Sequence, residues 1–132
     1  MAKRTPVIRI DLASPVPVYR QIVDSLRTHL VDGDLAPGDL LPSVRRLALE
    51  LGITFNTVAQ AYRQLAEEGW LDLQHGRRAA VIDRHAPSGA SREKVAEFKR
   101  RIRQMAAQMR AEGLSPRAIA AELRLVAEKL EV

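Results

Sequence analysis

The 132-residue chain has no cysteine, which excludes disulfide frameworks, zinc ribbons, iron–sulfur clusters and thiol catalysis. Aromatic residues are scarce, with two Phe, two Tyr and one Trp, too few for an aromatic-lined β-sandwich. Long apolar runs are absent as well. The opening MAKRTPVIRIDL is basic with no apolar stretch behind it, and no segment approaches the roughly 20 apolar residues of a membrane span. These absences point to a cytoplasmic protein with no membrane association. His29, His75 and His85 are scattered without metal-ligand spacing, and the chain carries no HExxH, no phosphate loop and no serine elbow. Its carboxylates read as helix-surface charge. No catalytic residue, metal site or cofactor is expected, and the chain is not expected to be an enzyme.

What the sequence does contain is positive charge. Lys and Arg total 21 against 16 Asp and Glu, a formal net charge of +5, and 17 of the 21 are Arg. The planar fork of Arg suits phosphates and guanine edges. The charge is uneven: residues 1–84 hold 11 basic and 10 acidic side chains, and residues 85–132 hold 10 and 6. Affinity for nucleic acid must therefore come from local placement rather than bulk charge. With 46% apolar and 28% charged residues, the chain fits a helix-rich globular domain with an appendage.

Along residues 7–12, VIRIDL alternates Ile8, Ile10 and Leu12 with Val7, Arg9 and Asp11, the pattern of a short half-buried strand. From Val18 the period changes: Tyr19, Ile22, Val23, Leu26 and Leu30 recur at three and four, predicting an amphipathic helix closed by Gly33. The following DGDLAPGDLLP reads as a loop. Ser43 caps a two-turn helix carrying Val44, Leu47, Ala48 and Leu51, stopped at Gly52. Thr54 caps the next, whose inner face is Val58, Ala61, Tyr62 and Leu65, ending at Gly69. So tight a connection makes the two helices cross steeply, as in helix-turn-helix. WLDLQHGRRAAVI then forms two short strands around a basic turn, a β-wing.

The polar stretch at residues 84–90, with Pro87 and Gly89, reads as a linker. It separates a winged helix-turn-helix domain at 1–83 from a two-helix region at 91–132. In that region Val95, Phe98, Ile102, Met105 and Met109 form a heptad-like seam. Gly113 ends the first helix, Ser115 and Pro116 start the second, and Ile119, Leu123, Val126 and Leu130 form a second seam. About 40 residues are too few to bury a core alone, so the antiparallel hairpin is expected to homodimerise through both seams. FKRRIR at 98–103 is a solvated helix face, with Glu97 placed to pair with Arg101. The fold class is mainly α with a small β-wing.

The segment LPSVRRLALELGITFNTVAQAYRQLAEEGWLDLQHG carries Pro42-Ser43 before Arg45, then Leu47-Ala48, Leu51-Gly52, Asn56-Thr57-Val58, Ala61-Tyr62, Leu65 and Glu68-Gly69. In order and spacing this resembles the GntR family of bacterial winged-helix repressors over about residues 15–82. PVPVYRQI and the two-helix tail are similar to its YtrA-like subfamily. The resemblance implies a sequence-specific regulator of double-stranded DNA, a repressor acting as a homodimer on an inverted repeat, and gives Ser43 and Arg45 places in the contact pattern. From the residues alone, Arg45 in the first turn of its helix could reach a guanine edge or a phosphate.

On the third helix the non-core positions are Phe55, Asn56, Thr57, Ala59, Gln60 and Arg63. Amides suit adenine, and Arg63 suits a phosphate. The resemblance ranks Thr54, Asn56 and Thr57 first. Phe55 stands where relatives often carry Arg; it could press on a thymine methyl or fold back onto the protein. His75, Gly76 and Arg77, with Arg78, form a cationic wing tip suited to a minor groove, although Arg78-Ala79-Ala80 replaces the Gly-rich continuation common in the family. The other reading of the same elements is a protein-interaction module that uses the winged helix as a scaffold without binding DNA. The sequence identifies no effector.

Overall fold

The computed structural model describes residues 7–74, 78–83 and 89–131. They form two compact units, Met1–His85 and Ala86–Val132. The first contains α1 (Val18–Asp32), α2 (Val44–Leu51), α3 (Phe55–Glu67), β1 (Leu71–Asp72) and β2 (Ala80–Val81). The second contains α4 (Arg92–Ala111) and α5 (Pro116–Leu130).

In the first unit each helix is punctuated as its sequence requires. Gly33, at φ 84°, closes α1 in the left-handed conformation that favours glycine. Ser43 accepts from the Arg46 N–H at the start of α2, and Gly52, at φ 68°, ends it. Thr54 accepts from the Thr57 N–H to open α3. Only Gly52, Ile53 and Thr54 separate α2 from α3, and Ser43, Arg45, Thr54 and Asn56 at the two amino ends are exposed. The inner faces of the three helices meet in one core: Ile22, Val23 and Leu26 from α1, Leu47 and Ala48 from α2, and Val58, Ala61, Tyr62 and Leu65 from α3. Leu35, Leu41, Leu71, Ala79 and Val81 close it. Each fully buried aliphatic side chain here stabilises the fold by about 1.5–3 kcal/mol.

The hairpin is antiparallel, with Leu71 opposite Val81 and Asp72 opposite Ala80. Its other edge is covered by a segment that reads as loop in the sequence. Leu40 bridges to Ala80, Gly38 N–H donates to Val81 O at 2.8 Å, Val81 N–H to Asp39 O at 2.8 Å, and Leu41 N–H to Ala79 O at 2.9 Å. The glycines and prolines around this stretch mask its role, but burying Leu41 takes its backbone out of water, and the free edge of β2 supplies the partners.

The expected strand at 7–12 does not form among the described residues. The alternation places Ile8 and Ile10 against the core, but Leu12, expected on the same side, is 77% exposed, and the backbone is held by side chains. Gln21 Oε1 accepts from Asp11 N–H at 2.8 Å, and Gln21 Nε2 donates to the carbonyls of Asp11 and Val16.

One ion pair ties α1 to the end of α3. Arg27 Nε donates to Glu68 Oε1 at 2.9 Å, with a second bond from Arg27 Nη2 to Glu68 Oε2. Gln64 also donates to Glu68. The Arg27 hydrogen bonds hold the Glu68 carboxyl below its ordinary pKa, against the opposing effect of burial.

In the second unit, Ser91 caps α4, and Ser115 caps α5 with Pro116 in the first helical turn. Gly113, at φ 108°, lies in the connection. Neither helix has a buried residue. Ile102, Met105, Met109, Leu114, Ile119 and Leu123 surround an open apolar cavity of about 140 Å³ where the helices meet. Phe98, Met105 and Leu130 are more than half exposed, and Val95, Leu123 and Val126 are also exposed. Glu97 and Arg101 pair at 3.0 Å on the outer surface.

Candidate nucleic-acid interface

The amino ends of α2 and α3 expose polar and basic side chains. Arg45 and Arg46 are adjacent and both exposed, yet they differ. Arg46 Nε reaches forward one turn to Glu50 at 3.0 Å, whereas Arg45 is in no ion pair among the described residues. Ser43 is exposed, with its hydroxyl committed to the cap of α2. Thr54 and Thr57 bond to each other through their hydroxyls at 2.8 Å, which fixes both side chains at the start of α3.

Along α3, Asn56, Gln60 and Arg63 are exposed at spacings of four and three, while Thr57 and Ala59 are half-buried. That spacing puts the amides and the guanidinium on one face. Phe55 is 54% exposed. It neither folds into the core nor stands clear, because its ring lines a groove between α3 and the hairpin.

The groove has a volume of about 540 Å³ and is lined by Ser43, Val44, Phe55, Ala59, Tyr62, Arg63, Leu73, Gln74, Arg78 and Ala79. Its lining includes two guanidinium groups and no carboxylate. Tyr62 forms part of the wall and donates from its hydroxyl to Pro42 O at 2.7 Å. Burial, the largest influence, raises the pKa of this phenol; the Arg78 charge opposes the shift and Glu50 adds to it. The hydroxyl therefore stays protonated as a donor and locks the start of α2 onto α3.

His75, Gly76 and Arg77 lie outside the described residues. Arg78 is described, and its Nε donates to Leu41 O at 2.8 Å. Gln74 is a groove residue that the sequence did not single out, and Arg78, expected in the wing tip, instead lines the groove. The basic HGRR turn drew attention to Arg78, but its anchor depends on the pairing of residues 38–41 with β2, which no periodicity signals.

Among the described residues there is no group of three or more His, Cys, Asp or Glu able to hold a metal ion. No described helix is long and apolar enough to cross a membrane.

Comparison with known proteins places this surface in context. The profile of the family described as "Bacterial regulatory proteins, gntR family" matches residues 18–81. The HTH-type transcriptional repressor YtrA of Bacillus subtilis (strain 168) is 34% identical over 99 residues, covering 75% of this chain and 75% of that protein. A solved structure of YtrA from Sulfolobus acidocaldarius, a GntR-family transcription factor, is 39% identical with a TM-score of 0.58, covering 71% of this chain and 94% of that one. The structure of AraR(DBD) in complex with operator ORX1 shares the fold at 18% identity and a TM-score of 0.52, covering 60% of this chain and 99% of that one. The two YtrA proteins are named as a transcriptional repressor and a transcription factor.

Proposed function

The chain belongs to the GntR family of bacterial regulatory proteins, with that family's DNA-binding winged helix, and from this premise we propose that it is a cytoplasmic, sequence-specific repressor that binds an inverted-repeat operator as a homodimer. Residues 1–83 read the duplex, 84–90 link, and 91–132 hold two copies together. The observation that carries the reading is the accessible face of α3, where Asn56, Gln60 and Arg63 stand exposed in line and Arg45 lies at the start of the neighbouring helix.

Placed in a major groove, α3 presents amides to adenine edges, and Arg45 takes a guanine edge or a phosphate. Ser43, Thr54, Thr57 and Ala59 bring the backbone close to the strand, and Arg63 takes a phosphate. His75, Gly76 and Arg77 reach the adjoining minor groove. The apolar residues Val95, Phe98, Ile102, Met105 and Met109 on α4, and Ile119, Leu123, Val126 and Leu130 on α5, pair with the same residues of a second copy. Burying them is the favourable term that dimerisation supplies.

Fluorescence anisotropy with DNA from upstream of the protein's own coding sequence, in competition with random duplex at fixed salt, tests the reading. The upstream DNA is expected to bind roughly 10³-fold tighter or more than random duplex. Equal affinity for every duplex would instead favour a scaffold that docks proteins.

A further inference from the structure

A helix lying in a major groove is flanked by the sugar–phosphate strands that bound that groove. On the hairpin side of α3, the surface such a strand would meet is the groove lined by Phe55, Ala59, Arg63, Leu73 and Arg78. Its apolar floor suits deoxyribose carbons. Its two guanidinium groups, with no carboxylate in the lining, suit phosphate oxygens.

Arg78 is the more rigid of the two cations. Its Nε is held by Leu41 O at 2.8 Å, and Leu41 is fully buried, so the guanidinium is tethered at Nε to the backbone of a core residue. The N–H donors on its terminal nitrogens engage no other group among the described residues. An anchored fork with free donors has already lost much of the side-chain freedom that phosphate binding would otherwise cost.

We propose that Arg78 is a preorganised phosphate clamp, holding one sugar–phosphate strand of the duplex against α3 in the groove that Arg63 lines from the helix side. The proposal rests on the DNA-binding reading above and moves Arg78 from a minor-groove tip to the sugar–phosphate strand beside α3. Arg78 sets the depth and register of α3 by fixing the backbone, so its contribution is common to all sequences, whereas base contacts discriminate between them.

The test is Arg78→Gln, whose amide can still donate to Leu41 O while the charge is gone, measured beside Arg78→Lys across a salt series. Arg78→Gln is expected to weaken binding to operator and random duplex alike by about tenfold at 0.1 M salt. It is also expected to flatten the slope of log K against log salt by about one unit, with an unchanged Tm. Arg78→Lys is expected to keep the slope. An unchanged slope in Arg78→Gln overturns the clamp, and a lowered Tm with that unchanged slope makes the residue a structural tie. Failure of the unaltered chain to bind any duplex overturns the regulator reading itself, and the clamp with it.

Discussion

The two units answer the same physical demand differently. Both are built from helices with apolar residues repeating at three and four, yet every residue of the buried core belongs to the first unit, and neither α4 nor α5 has a buried residue. In the first unit three helices, a hairpin and the 38–41 edge surround a common centre, so each apolar stripe finds its cover within the chain. Within the second, α4 and α5 are the two helices present, and a pair of helices covers only part of each stripe. Periodicity thus tells which face must be covered, while the number of neighbouring elements decides whether one chain can cover it.

The sharpest way to break this contrast is a cavity in the first core. Leu65→Ala, at a site with no exposed surface, is expected to cost about 2–5 kcal/mol, read by urea unfolding. It should abolish duplex binding while leaving the proposed self-association through the second unit intact. The reciprocal change is Phe98→Ala, at a side chain 61% exposed in the single chain. It is expected to leave the unfolding of the first unit unaltered and weaken self-association by about 2–4 kcal/mol, as measured by sedimentation equilibrium. Unaltered self-association would remove Phe98 from the interface. Next, Arg45→Ala is expected to lower operator affinity by about 1–3 kcal/mol without altering either unit's stability. A loss under ~0.5 kcal/mol would return Arg45 to the ordinary surface, beside Arg46.

The smallest effect is one of pH. His29 Nδ1 meets Asp34 at 3.0 Å and Nε2 meets Val7 O at 3.1 Å. Both partners accept, so both contacts are made as hydrogen bonds only when the ring is doubly protonated. Burial, the largest single influence, disfavours that charge, but the bonds to Asp34 and Val7 and the nearby acidic charges outweigh it and raise the pKa. Because the folded value lies above the unfolded one, the stabilisation is full below the ordinary histidine range and is lost as pH rises through the folded value. A thermal scan is expected to show a small fall in Tm between about pH 6 and 8 that is absent in His29→Gln. An equal fall in that variant would assign the effect elsewhere.

Much of this was legible in the residues. Ser43, Thr54, Ser91 and Ser115 marked four helix starts, and Gly33 and Gly52 marked two ends, because capping is a local matter of one side chain or one φ angle. The outward positions of α3 followed from its inward ones. What escaped were features that depend on distant partners. VIRIDL alternates like a strand but finds a glutamine side chain in place of a neighbouring strand. Residues 38–41 look like a loop and instead complete the sheet edge. The anchoring of Arg78 follows from that second pairing, so it too lay beyond local pattern. Phe55 illustrates the same limit: its exposure could be read from α3, but its place in the groove required the hairpin.

The central claim is that two copies of the winged helix read one duplex together. Selection of bound fragments from a random duplex pool at fixed salt tests it most directly. An enriched inverted repeat is expected, with half-sites about 10–10.5 base pairs apart or a multiple of that spacing. Recovery of no enriched sequence, or of a single asymmetric site occupied by one copy, would contradict it.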